Sequence, residues 1–194
     1  MRSLKKLGVL TIVVFALSSV GAANASAATF TASATGSLTG MARETQVFVF
    51  NGGKVECNTA ETLGTISLTA ATEQHVTVQY KGCQGLGFAE VNISPATYLL
   101  TNNGSLHIKN TITIQVNVPF FPDCHVTIQP QTVGTVDYSN SSASTIKVAP
   151  TISGIVYQTS ELPFNPCGYS GNNGTYTGAS DFRRVGGGTL QFDA

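Results

Sequence analysis

Residues 75 to 87 read HVTVQYKGCQGLG, an alternating stretch that runs straight into a cysteine and a glycine-rich turn. Val76, Val78 and Tyr80 alternate with His75, Thr77, Gln79 and Lys81. Side chains of period two point to opposite faces of a strand, so one face here is apolar and the other wet. Upstream, Lys54-Val55-Glu56-Cys57 is a second alternating segment ending in cysteine. The two strands can lie in register with Cys57 facing Cys83.

The same grammar continues along the chain. Thr45 to Asn51 reads as a strand closed by Gly52-Gly53, a dipeptide that accepts positive φ and marks a tight turn. Lys54 to Asn58 and Gly64 to Thr69 continue the sheet, and Ala70 to Glu73 reads as the turn that follows them. Phe88 to Ile93 is stopped by Pro95, and Thr97 to Thr101 leads to the turn Asn102-Asn103-Gly104. Leu106 to Val118 is the longest alternating run, a central strand with a bulge expected near Asn110 and an end at Pro119. Six further short strands are expected between Cys124 and Phe192. No stretch after the first residues shows a helical period, and strands arriving every 8 to 12 residues indicate a sandwich or barrel. The expected fold is all-β, an antiparallel β-sandwich of jelly-roll or Ig-like type occupying residues 28–194.

Residues 1–27 have the three parts of a secretory signal peptide: Arg2, Lys5 and Lys6 in front, the apolar run Leu7 to Leu17, and the cleavage site Ala25-Ser26-Ala27. The apolar run is shorter than the about 20 residues a spanning helix needs, and no later segment is long and apolar enough to stop transfer. The mature chain is therefore expected to be secreted, in the extracellular space or cell envelope, by ordinary Sec export from a bacterium and without a transmembrane segment. Cleavage removes three of the ten basic residues and none of the ten acidic ones, which leaves a formal charge of −3. So weak a balance steers neither nucleic acid nor an anionic membrane.

Four cysteines in an exported chain are expected to be oxidised rather than bound to metal, and their spacings fit no C-x-x-C pattern. Of three possible pairings, Cys57 with Cys83 and Cys124 with Cys167 is preferred, because each closes a local pair of strands. In the chain-entropy model such loops are worth roughly 3 to 4 kcal/mol each.

Gly53-Lys54-Val55-Glu56-Cys57, Tyr80-Lys81-Gly82-Cys83, Cys124-His125-Val126-Thr127-Ile128, Gly154-Ile155-Val156-Tyr157 and Asn173-Gly174-Thr175-Tyr176-Thr177-Gly178 occur in that order. This arrangement resembles a group of uncharacterised secreted actinobacterial β-rich proteins, over most of the mature chain. Those proteins often carry a further cysteine pair around Ser94 to Asn110, which this chain lacks. The resemblance implies secretion and a β fold, and no established activity.

No motif for chemistry stands out. His75, His107 and His125 lie far apart in sequence, and in Asp123-Cys124-His125 neighbouring side chains point to opposite faces of a strand, whereas zinc needs three or four converging ligands. No cofactor is expected. There is no G-x-S-x-G elbow, no calcium loop and no Walker loop, and Glu56, Glu61, Glu73 and Glu90 show no sign of facing one another as a glycosidase pair would. The unexplained apolar residues are Phe120 and Phe121 between two prolines, and Phe164 and Tyr169 in the loop around Cys167. If Cys124 meets Cys167, these four rings share one end of the fold. Either they fold beneath the loops as a plug, as satellite clusters commonly do, or they are exposed as a contact site for a surface, a glycan or a protein.

The chain thus reads as a secreted, non-enzymatic binding or structural module of the envelope or extracellular space. The alternative is a secreted hydrolase of carbohydrate or peptide whose site is not legible in one sequence. An outer-membrane barrel ranks last, because membrane strands need about 9 to 11 residues and those read here are shorter.

Overall fold

The computed structural model describes residues 28–51, 53–85, 89–117, 120, 123–160 and 167–194. Residues 1–27, read from the sequence as a signal peptide, lie outside them. The first strand, β1 (Thr29–Ala32), stands apart from a wall of eight antiparallel staves. These are β2 (Gly36–Ala42) with β3 (Gln46–Phe50); β4 (Gly53–Ile66); β6 (Glu73–Gly85), which follows the two-residue β5 (Ala70–Ala71); β7 (Ala89–Ile93) with β8 (Ala96–Thr101); β9 (Ser105–Ile108) with β10 (Ile112–Asn117); β11 (Cys124–Ile128) with β12 (Gln131–Ser142); β13 (Thr145–Thr159); and β14 (Gly171–Thr177) with β15 (Ser180–Arg184). Each stave pairs with the next in sequence. The last pairs with the first, through Tyr176 with Phe48 and Phe182 with Gly40.

The antiparallel all-β architecture expected of the sequence is the one the chain adopts. Its strand order is simpler than in a jelly-roll or Ig-like sandwich: the sheet is a nearest-neighbour meander, and its two faces of wall are joined at both sides into a closed barrel. Closure pairs the backbone groups that open sheet edges would expose. Eight strands enclose an interior just wide enough for side chains to fill.

Period-two alternation decides which side chains fill it. Phe48, Val55, Cys57, Val76, Val78, Tyr80, Ile112, Ile114, Val126, Ile128, Ile152 and Tyr157 face in and are buried. Glu56, Glu61, His75, Gln79, Lys81 and Arg183 lie at the alternate positions and are exposed or half-buried. Ion pairs such as Lys81 with Glu61, at 2.6 Å, lie on this outer face. Gly40 faces inward beneath a ring: a Cβ there would meet Phe182 at 2.6 Å, so only glycine lets that ring lie across the lumen.

Five staves are broken into two strands each, and amide side chains satisfy the backbone at the breaks. Pro95 has no N–H to give, and the wall breaks there and at Lys109–Thr111 opposite. Asn110 bridges the gap: its Oδ1 accepts from the Thr97 N–H at 2.7 Å and its Nδ2 donates to the Pro95 carbonyl at 2.9 Å. This is the interruption expected near Asn110, and it separates β9 from β10. Beside the break at Gln129–Pro130, Gln131 donates to the Val156 carbonyl at 2.8 Å and accepts from its N–H at 2.9 Å. Gln46, 1% exposed, donates to the carbonyls of Glu44 and Ala179 where the first and last staves jog together.

One end of the barrel is covered by a three-stranded sheet in the order β16 (Leu190–Asp193), β1, β5. It tucks Phe30 beneath it against Tyr138, edge to face at 5.0 Å, and against Phe192 at 5.2 Å. Asn140 clamps Phe192 through both its N–H and its carbonyl. Ala70–Ala71, read from sequence as a turn, pairs with β1 and completes this cover.

Candidate functional site

At the opposite end β3, β6, β10 and β13 finish and β4, β7, β11 and β14 begin. Both disulfides lie toward it. Cys57 and Cys83 are directly opposed on β4 and β6, with Cα atoms 3.9 Å apart. Cys124 at the start of β11 meets Cys167 in the β13–β14 connection, Cα to Cα 5.9 Å. Both pairs are those preferred from the sequence.

Of the four loop aromatics, two fall among the described residues. Phe120 is fully exposed and has φ 69°, a left-handed conformation uncommon for a bulky residue. Tyr169 is 84% exposed. Neither ring folds beneath its loop. Phe121 and Phe164 lie outside the described residues. Because β11 pairs with β13, the loops carrying Phe120 and Tyr169 leave neighbouring staves at the same end.

The backbone beneath Tyr169 is held at four consecutive residues. Cys167 is bonded to Cys124. The Gly168 carbonyl accepts from Thr159 Oγ1 at 3.0 Å, and Ser170 Oγ accepts from the Thr159 N–H at 2.9 Å. The Tyr169 carbonyl itself accepts from Asn51 Nδ2 at 3.3 Å. Asn51 belongs to a knot at the barrel rim. Its N–H donates to the hydroxyl of buried Tyr157 at 2.8 Å, that hydroxyl donates to Asn173 Oδ1 at 3.2 Å, and Asn173 Nδ2 donates back to Asn51 Oδ1 at 2.7 Å. Gly171 sits against all three groups: a Cβ there would lie 2.8 Å from Asn173 Oδ1 and 3.0 Å from both Asn51 Nδ2 and Tyr157 Oη. Asn172-Asn173-Gly174 has the composition of a turn, yet Asn173 lies within β14 and holds the rim.

A second polar cluster lies inside the barrel. The Tyr80 hydroxyl contacts that of Tyr98 at 2.9 Å and donates to that of Tyr176 at 3.3 Å, and Tyr176 donates to Gln46 Oε1 at 2.5 Å. Burial is the main cause that pushes the Tyr176 phenol up to about 12, and it raises Tyr80 and Tyr98 well above the ordinary tyrosine range. Tyr138, beneath the covering sheet, is raised by the same cause. All four phenols stay neutral at physiological pH.

The histidines are dispersed over the outer wall. His75 is exposed, His107 and His125 half-buried, and His107 Nδ1 pairs with Thr132 Oγ1 at 2.8 Å. Among the described residues no three His, Cys, Asp or Glu side chains converge to hold a metal, and no helix is long and apolar enough to cross a membrane.

β4, β6 and β13 run 14, 13 and 15 residues, longer than the strands read from the sequence and long enough for a membrane barrel. The face pattern is the opposite of a membrane barrel's, in which an apolar band faces out and the interior is polar. Here the lumen is filled mainly by apolar and aromatic side chains and the wall is polar, with Met41, Val49, Leu63 and Val156 as its exposed large apolar side chains among the described residues. The structure therefore defines a closed antiparallel barrel with one end covered and the other carrying disulfide-tied aromatic loops. The chain matches no protein-family model, no curated protein and no solved structure.

Proposed function

We propose that this chain is a secreted, non-enzymatic binding module of the cell envelope or extracellular space that meets its ligand with the loops at the end of the barrel opposite the covering sheet. The observation that carries this reading is Tyr169, whose ring is 84% exposed while its backbone is pinned by a disulfide and side-chain hydrogen bonds. An aromatic ring held out on a rigid backbone loses little entropy on binding and offers a flat apolar face with a polar tip. Phe120 on the neighbouring loop extends the same surface. The ligand this suits is a glycan or protein surface that accepts stacking. Two disulfides fit an oxidising compartment, and the signal segment supplies the route to it.

The test is retention of the mature protein on insoluble cell-wall polysaccharide, chitin and cellulose, and on intact bacterial cells. Tyr169→Ser and Phe120→Ser are expected to keep the near-UV circular dichroism of the parent and to lose retention at least tenfold. Unchanged retention by both variants would remove the loops from the site. Fractionation of a culture into medium, wall and cytoplasm tests the compartment; mature chain in the cytoplasm would refute it.

A further inference from the structure

The lumen of the barrel contains a cavity of about 40 Å³ toward the covered end, and its polar lining is unevenly satisfied. Thr62 lines it, is 1% exposed, and its hydroxyl has no hydrogen-bond partner among the described residues. Buried hydroxyls are almost always bonded, because an unpaired one forfeits its hydration.

The tyrosines lining the same cavity have a defined direction of donation. Gln46 commits both donors of its amide to the carbonyls of Glu44 and Ala179, so its oxygen accepts from Tyr176. Tyr176 spends its one proton there and accepts from Tyr80, which in turn spends its own. In the 2.9 Å contact of Tyr80 with Tyr98, the donor is therefore Tyr98. The series Tyr98 to Tyr80 to Tyr176 to Gln46 begins at an oxygen that receives no hydrogen bond among the described residues. The cavity thus offers a free donor on Thr62 and free lone pairs on Tyr98, with Ser180 as a further polar residue in a lining that is mostly apolar and includes Val76, Val78, Leu100 and Phe182.

We infer that this cavity is a built site for internal water, one to three molecules bridging the Thr62 hydroxyl to the Tyr98 oxygen. A water needs roughly 10 to 15 Å³ of such volume and two or more polar partners, and the site meets both conditions. A molecule that only donates or only accepts satisfies one side. An apolar guest satisfies neither, and any ring-sized ligand is too large. The lumen accordingly completes the tyrosine network and does not carry a hydrophobic ligand, which leaves recognition to the outside of the barrel.

Two measurements on the folded mature chain test this. In nuclear Overhauser spectra, the Thr62 methyl is expected to show a cross-peak at the water frequency with the sign of a long-lived water; its absence, or entry of xenon into the cavity under pressure, overturns the proposal. In urea unfolding, Thr62→Val and Tyr98→Phe are each expected to lower the midpoint, and the double variant to lower it by less than the sum, since either substitution already releases the bridge. A midpoint raised by Thr62→Val means a dry cavity relieved of an orphaned hydroxyl and also overturns it. The spectrum of the unsubstituted chain decides if a variant does not fold.

Discussion

At the scale of single residues, the buried tyrosines set the alkaline limit of the fold. Tyr80, Tyr98 and Tyr176 are raised chiefly by burial, and Tyr176 is pushed up to about 12. An unfolded tyrosine ionises near pH 10. The folded state therefore holds more protons than the unfolded one above that pH, and stability falls as pH rises. It is fully present below pH 10 and is lost for Tyr176 between about 10 and 12, by about 1.4 kcal/mol per pH unit for each such phenol. Urea midpoints measured from pH 8 to 11 are expected to be flat and then to drop; Tyr176→Phe is expected to flatten the drop. Gly171 is the other sensitive position. Gly171→Ala drives a methyl into the Asn51, Tyr157 and Asn173 knot and is expected to cost about 1 to 3 kcal/mol, read by urea denaturation.

At the scale of elements, the kinks divide the staves into short strands, and the amides at the kinks keep the wall continuous. Asn110→Ala leaves the Thr97 N–H and the Pro95 carbonyl without their partner and is expected to cost about 1 to 3 kcal/mol. Gln131→Ala, which strips both hydrogen bonds from Val156 at a more exposed place, is expected to cost less, about 1 kcal/mol. Equal effects in chemical denaturation would contradict the burial argument. Replacing Cys124 and Cys167 by alanine frees the loop that carries Tyr169. Limited proteolysis is then expected to cut between residues 160 and 170, while Cys57→Ala with Cys83→Ala lowers stability by about 3 kcal/mol without opening that loop.

At the scale of the molecule, closure couples the first stave to the last: Phe48 pairs with Tyr176 and Gly40 with Phe182. Contacts so distant in sequence form slowly, and refolding in milliseconds to seconds is expected from stopped-flow fluorescence of the tyrosines. With the apolar side chains inside and the polar ones out, the mature chain is expected to refold from urea in plain buffer. It is not expected to co-float with phosphatidylcholine vesicles. A requirement for detergent would overturn the reading of the faces.

Period-two alternation determined, by itself, that the chain is all-β and which side chains point inward, since a strand has two faces and residues such as Val76, Val78 and Tyr80 can satisfy only one. Cys57 and Cys83 were legible as partners because each sits in an alternating segment; in the antiparallel pair Cys57, near the start of β4, lies opposite Cys83, near the end of β6. Closure was not legible, because it rests on the pairing of β2 and β3 with β14 and β15, and no local pattern links segments so far apart. The kinks misled for a physical reason too. Pro95 ends a backbone ladder in sequence, but Asn110 from the neighbouring stave supplies the missing hydrogen bonds, so strands that read as short are lengths of one wall. Tyr169 was a candidate in sequence only as an aromatic ring in a proline-rich loop. Its exposure, and the pinning of its backbone by Thr159, Asn51 and the disulfide, were decided by tertiary structure, because every group that holds it comes from another part of the barrel.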